Sequence, residues 1–347
     1  MKNLYHSMLQ LFEQGNSFVQ ATILTQSGSA PRTAGAKMLI LKDKTILGTI
    51  GGGQVEAMVQ ELAAGLFENK GALIKEYDLT GSKGGQMDMI CGGRLEVLIE
   101  YMDATNNTLL NVYRNIISTI EQRKKAVLVT PISNYLWENN QSFLVQSDGS
   151  FHGSEYSWPD ELLESFAGQA KGRYPQVLTF DNQRFLVEPI STYGTVYIFG
   201  AGHVSQKLGL LTGLIDFRTV VIDDRREFAN RERFATADEV LVVESFGQAF
   251  ADFKFDPDSY LVIVTRGHAH DKTVLAQALK TNASYIGMIG SVRKRDTLYR
   301  SLLSEGFTEQ DLKRVYCPIG LEIAAETPEE IAVSIAAELI KIRAGLS

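Results

Sequence analysis

The sequence predicts an α/β protein with an N-terminal α+β domain, read as internally duplicated, followed by a doubly wound, parallel-sheet domain of Rossmann type. Three observations carry this. The run Thr195-Val196-Tyr197-Ile198-Phe199 passes directly into Gly200-Ala201-Gly202-His203-Val204-Ser205 and an apolar helix, as in the first βα turn of a dinucleotide-binding fold. Strand-like and helix-like stretches then alternate to the end of the chain. Before residue 190, one order of elements occurs twice.

In the first half, Leu4, Met8, Leu9, Leu11 and Phe12 recur at helical spacing and Gly15 ends the run. Val19 to Thr25 is β-rich, and Lys37 to Leu47 reads as a hairpin turning near Asp43-Lys44. Val55, Met58, Val59, Leu62, Ala63 and Leu66 form the stripe of a helix from Gln54 to about Asn69, and Lys75 to Leu79 and Arg94 to Tyr101 are two further strands. The order returns as a helix (Leu109 to Ile120), a strand (Ala126 to Pro131), a hairpin around Asp148-Gly149, a helix (Pro159 to Ala170) and a closing strand pair (Pro175 to Ile190). The expected domains are residues 1–104, a degenerate second copy packed with them at 105–190, and the Rossmann-like domain at 191–347.

In that last domain, strands are expected at Arg218 to Ile222, Glu239 to Val243, Tyr260 to Val264 and Tyr285 to Ile289. Thr327-Pro328-Glu329-Glu330 opens the final helix, an N-cap followed by proline and acids.

A chain of 347 residues with 44% hydrophobic content exceeds one ordinary core. Lys and Arg number 34 against 41 Asp and Glu, a formal charge of −7 with no long basic run, which argues against nucleic acid as a partner. Two cysteines far apart give no disulfide framework and fit a reducing compartment, the cytoplasm by default. No export signal opens the chain, and no stretch reaches the roughly 18 apolar residues of a membrane span.

The chemistry concentrates in glycine-rich loops. Cys91 sits in Met89-Ile90-Cys91-Gly92-Gly93, where Gly92 and Gly93 let a ligand approach the thiol, although a lone cysteine is equally a small buried hydrophobe. Gly51, Gly52 and Gly53 precede a helix and are expected to offer unpaired amides to an anion, with Arg32 of the Gly28-to-Gly35 loop as counter-charge. In the third domain Gly200 and Gly202 form an imperfect phosphate fingerprint, Ser205 standing at the third glycine's place. Asp223 and Asp224 fall where an acid holds a ribose hydroxyl, so NAD(P) or another nucleotide is a candidate cofactor. His203, His268 and His270 should stand on the same rim, where they could converge with Asp223 or Asp224 into a metal or proton-transfer site. Cys317 is expected to pack.

With these residues in hand, the chain resembles the XdhC/CoxI family of accessory factors for molybdenum hydroxylases. The matching pieces are Gly28-Ser29-Ala30-Pro31-Arg32, Gly48 to Gly53, Met89 to Gly93, Gly200-Ala201-Gly202-His203, Val221 to Arg225, Arg266-Gly267-His268, Tyr285 to Ser291 and Pro318 to Leu321. Residues 105 to 190 match least well. The resemblance implies a chaperone that binds the molybdenum cofactor (molybdopterin), shields it while a cysteine desulfurase supplies the terminal sulfur, and delivers it to an apo molybdenum hydroxylase of the xanthine dehydrogenase type. Under it Cys91 is the key residue, a molybdenum contact or sulfur relay, and a homodimer is expected. The competing reading is a nucleotide-dependent oxidoreductase, with a dinucleotide in the Rossmann crevice and Cys91 supplied by the first domain.

Overall fold

The computed structural model describes residues 2–28, 32–79, 93–122, 124–132, 142–153, 158–170, 172, 174–190 and 194–346. Cys91 and Gly92 lie outside the described residues, as does 29–31 of the Arg32 loop. The chain divides into two compact units, Met1–Ser191 and Thr192–Ser347.

The first unit opens with α1 (Lys2–Glu13), β1 (Phe18–Ser27), the hairpin β2 (Lys37–Ile40) and β3 (Ile46–Gly48), α2 (Gly53–Asn69), β4 (Ala72–Asp78) and β5 (Arg94–Met102). It continues with α3 (Asn107–Glu121), β6 (Ala126–Pro131), β7 (Phe143–Gln146), β8 (Phe151–His152), α4 (Asp160–Gln169), β9 (Gln176–Phe180) and β10 (Gln183–Ile190). The strands form two antiparallel sheets, ordered β3-β2-β1-β5-β4 and β8-β7-β6-β10-β9. Position for position these are the same order, so the recurrence seen in the sequence extends from element order to strand pairing.

Strand alternation decides what each face meets. Val19, Ala21 and Ile23 of β1 and Val97 and Ile99 of β5 pack under the stripe Val55, Val59, Ala63 and Leu66 of α2. In the second half, Val127, Val129, Phe185 and Val187 meet Leu162, Leu163 and Phe166 of α4 in the same way. The opposite faces share a small core of Leu24, Leu98, Ile132 and Leu186, and α1 and α3 pack together over residues of both sheets. Beside that core runs a polar seam, where Gln20 Nε2 donates to Glu100 Oε1 at 2.9 Å and Lys37 Nζ donates to Thr22 Oγ1 at 3.0 Å and to Glu188 Oε2 at 2.9 Å.

The second unit comprises β11 (Thr195–Phe199), α5 (His203–Leu214), β12 (Arg218–Asp223), β13 (Glu239–Val242), β14 (Ser259–Ile263), α6 (His268–Ala278), β15 (Tyr285–Met288), α7 (Val292–Ser304), α8 (Glu309–Leu312), β16 (Val315–Tyr316) and α9 (Pro328–Arg343). The sheet is parallel, ordered β13-β12-β11-β14-β15-β16, so the expected doubly wound fold is found, with one strand, β16, that the sequence did not disclose. Its two faces carry separate cores, one around Phe199, Leu261 and Leu275 and one around Ile198, Val262 and Ile335. Thr327 and Glu330 cap α9 reciprocally with Pro328 in its first turn. Among the described residues no helix is long and apolar enough to cross a membrane.

Candidate functional site

Strand direction brings the strand ends that bound the three glycine loops of the first unit to one edge of the sheet. Because β1 runs antiparallel to β2 and β5, β2 to β3, and β5 to β4, the segments joining β1 to β2, β3 to α2 and β4 to β5 all leave the sheet at one end. The Cys91 segment spans the last of these junctions, whose ladder closes with the Leu79 amide donating to the Gly93 carbonyl at 2.8 Å. The corresponding junction in the second half, from β9 to β10, is only Asp181-Asn182, both at positive φ, a tight hairpin turn. The second half thus keeps the scaffold and has no counterpart of the Cys91 segment.

Gly51, Gly52 and Gly53 all have positive φ, a run that L side chains resist, which is why three glycines stand here. The expectation that their amides are unpaired needs correcting. Glu56, one turn into α2, reaches back: its Oε1 accepts the amides of Ile50 at 3.0 Å and Gly52 at 2.9 Å and the Thr49 hydroxyl at 2.6 Å, while the Gly51 amide donates to Thr49 Oγ1 at 3.0 Å. Burial alone would push the Glu56 carboxyl up, but the Thr49 hydroxyl and these amides outweigh it and hold it below the usual carboxylate value. The loop therefore already carries an internal carboxylate. What it leaves for an external anion are the amides of Gly53 and Gln54, which have no partner among the described residues, and the exposed Arg32 in the loop from β1 to β2.

In the second unit Gly200 has φ +107°, and a β-carbon there would fall 2.4 Å from the Val264 carbonyl oxygen, so glycine is required where β11 and β14 end side by side. The Ser205 hydroxyl donates to the Gly200 carbonyl at 2.5 Å, which gives the residue at the third glycine's place a role of its own. Asp223 is a second correction. Its Oδ2 accepts the Ala201 amide at 2.7 Å and Arg225 Nη2 at 3.0 Å, and its Oδ1 accepts the Arg225 amide at 3.0 Å and Arg225 Nε at 2.9 Å. Four donors fill about four lone-pair sites, so no capacity is left for a ribose hydroxyl. Burial favours the neutral acid, yet the Arg225 and Ala201 bonds prevail and keep the carboxyl below its ordinary value.

Asp224 is placed differently, with Oδ2 accepting from Arg266 Nη2 at 2.8 Å. His203 and His268 are the exposed first residues of α5 and α6, and the His270 ring rests against Phe246 with centroids 5.2 Å apart. Among the described residues no group of three or more His, Cys, Asp or Glu side chains is gathered to hold a metal ion, so the three histidines and the two aspartates do not form the metal site that was one of the two expectations for them. The rim also holds a pair that motif reading passed over. Lys294 Nζ donates to Asp271 Oδ2 and, at 3.0 Å, to the Ile289 carbonyl, while the Thr265 hydroxyl donates to Asp271 Oδ1 at 2.6 Å. The only sequence signal for it is Gly290, where a β-carbon would fall 2.7 Å from Lys294 Cδ. Cys317 is buried in the core, as expected.

Two family descriptions match the chain in order: "XdhC and CoxI family" over residues 11–78 and "XdhC Rossmann domain" over residues 196–339. This chain belongs to the XdhC/CoxI family. Both units of this XdhC/CoxI protein are represented, the first through the strands that present the glycine loops. A Bacillus subtilis (strain 168) protein named as a probable xanthine dehydrogenase subunit is 28% identical over 343 residues, 98% of this chain and 97% of that one. An uncharacterized Escherichia coli (strain K12) protein, YqeB, is 24% identical across 98% of this chain, which spans 46% of it. A crystal structure described as a xanthine dehydrogenase from Bacillus halodurans superposes with a TM-score of 0.81 at 25% identity, covering 99% of this chain and 96% of that one.

Proposed function

We propose that this XdhC/CoxI protein is an accessory factor that takes up the molybdenum cofactor, keeps it during sulfuration and passes it to a molybdenum hydroxylase of the xanthine dehydrogenase type. The observation that carries the reading is the family match at both ends of the chain, within a likeness to the Bacillus subtilis protein that runs the full length of both. The cofactor is cargo, so binding and release matter more than turnover, and the role needs no acid–base pair or nucleophile triad.

The chain's own groups suit such a cargo. Molybdopterin ends in a phosphate, for which the first-unit loops offer the Gly53 and Gln54 amides at the start of α2 and the exposed Arg32 guanidinium. Glu56 fixes the shape of that loop by holding the Ile50 and Gly52 amides. Cys91 belongs to the segment anchored by Leu79 and Gly93 at the same end of the sheet, and its thiolate is the soft ligand of the set, suited to meet molybdenum or to relay sulfur. The partners that follow are the apo-hydroxylase and a cysteine desulfurase, with the factor acting as a homodimer.

The test is activation of an apo-hydroxylase by the loaded factor. Cys91→Ser should abolish activation while the variant keeps the wild-type unfolding curve, and Arg32→Ala should weaken cofactor retention. Full activation by Cys91→Ser would remove the thiol from the mechanism.

A further inference from the structure

On one face of the parallel sheet α5 and α9 lie side by side, and Leu208, Ala332, Ile335 and Leu339 share the core beneath them. The two helices run in the same direction. Lys207 Nζ reaches Glu329 Oε1 at 3.0 Å near their starts, and Arg343 Nη1 donates to the Ile215 carbonyl at 2.7 Å near their ends. Residues three and four apart are neighbours on a helix surface, so the outward positions between these two ties are Leu210 and Leu214 on α5 and Val333, Ala337 and Ile340 on α9. None is charged. Leu210 and Leu214 are 48% and 79% exposed, Val333 and Ile340 are 50% and 39% exposed, and Ala337 is partly buried.

Single exposed leucines are ordinary, but a continuous apolar strip across two helices is not. From Glu329 to Arg343 the strip is about 21 Å long, and two helices about 9 Å apart make it roughly 20 Å wide, an apolar area on the order of 400 Å². That is about half of the roughly 800 Å² that each partner contributes to a standard interface, a share that suits an apolar centre inside a polar rim. The charges at its ends say which partner fits. Glu326, Glu329 and Glu330 crowd the start of α9, and Lys341 and Arg343 occupy its last turn, so α9 is acidic at one end, basic at the other and uncharged along its outward middle. A two-fold axis across the middle of the strip lays α9 antiparallel to its copy. Each acidic start then faces a basic last turn, the helix dipoles oppose, and no charge is buried at the centre.

We propose that the α5–α9 face is the surface through which two copies of this chain associate, as an isologous dimer with two helices from each copy at its centre. A second copy is the partner because the face complements itself when reversed. The inference rests on the accessory-factor reading only in giving its homodimer a surface; the geometry involves no cofactor, so either can fail alone.

Sedimentation velocity of the full chain tests it. The native protein should sediment as a dimer of 38.4-kDa chains at micromolar concentration. Leu214→Glu and Val333→Glu, both at exposed positions, should keep the native unfolding curve and raise the dimer dissociation constant about a hundredfold, since each dimer would bury two carboxylates without partners at about tenfold apiece. Leu303→Glu, at an exposed apolar position on α7, should leave the dimer unchanged. A native chain that stays monomeric at tens of micromolar overturns the proposal, as does a dimer that Leu214→Glu and Val333→Glu leave intact or that Leu303→Glu dissolves equally. A monomeric chain whose binding to apo-hydroxylase is lost in Leu214→Glu also overturns it and assigns the face to that partner. Molybdenum retention is scored on the same samples: its absence in a protein that dimerises through this face counts against the accessory-factor reading alone.

Discussion

Lys37 Nζ and Glu188 Oε2 lie 2.9 Å apart with their side chains 1% and 2% exposed, so a fully buried ion pair joins β2 of the first repeat to β10 of the second. Removing one member leaves a buried charge without its ionic partner. Lys37→Met should destabilise the first unit by about 3–5 kcal/mol, whereas Lys37→Met with Glu188→Leu should recover most of the loss. Urea unfolding of the two variants, with hydrogen exchange in β2 and β10 to locate the effect, checks this; equal losses in both would contradict it.

Glu56 predicts a pH effect. Its carboxyl is held below the ordinary value of 4.5, so its contribution is complete above that pH and is lost as pH falls through the lower folded value. Glu56→Gln should cost about 1 kcal/mol at neutral pH and nothing in strong acid, where the native carboxyl is also neutral. Thermal melts of both proteins across the acid range read the difference. A gap that persists unchanged to low pH would assign Glu56 a packing role instead.

Asp223 ties the glycine turn of the second unit to Arg225 through four hydrogen bonds, one from the Ala201 amide and three from Arg225. Asp223→Ala leaves the Arg225 guanidinium and the Ala201 amide without an acceptor and should cost on the order of 3 kcal/mol. Asp224→Ala, beside it, should cost far less. Parallel denaturant curves for the two variants decide the matter, since comparable losses would mean that Asp223 is not the member holding the turn.

Burial pushes the Cys317 thiol up to about 11, so it carries almost no thiolate at pH 8. A thiol reagent applied to the native protein at that pH should leave Cys317 unmodified and label it only after denaturation. Mass spectrometry of the labelled peptides assigns the site, and Cys317→Ser should leave native labelling unchanged. Rapid native modification at Cys317 is the opposing result.

Much of the fold is legible in the sequence because burial imposes a period on it. Val55, Val59, Ala63 and Leu66 mark α2, Val19, Ala21 and Ile23 mark one face of β1, and Lys44 and Gly149 take the positive φ expected of their hairpin turns. The glycine loops are likewise visible, and strand direction explains why three of them matter together. What stays hidden is the choice of hydrogen-bond partner. Ile50, Gly52 and Glu56 are close in the chain, but nothing in their order says that the carboxylate turns back onto the amides rather than out to solvent. Asp223 and Asp224 are adjacent acids, and only tertiary structure separates the one saturated by Arg225 from the one facing Arg266. Lys294 and Asp271 meet across 23 positions of chain, and β16, two residues long, is too short to carry a period.

The first unit is the proposed holder of the molybdenum cofactor, and gel filtration of the full chain after incubation with that cofactor measures this most directly. Molybdenum should co-elute with the native protein in near-stoichiometric amount and fall sharply in the Cys91→Ser and Arg32→Ala proteins. Elution of the native protein free of molybdenum, at cofactor concentrations that load an apo-hydroxylase, would contradict that role.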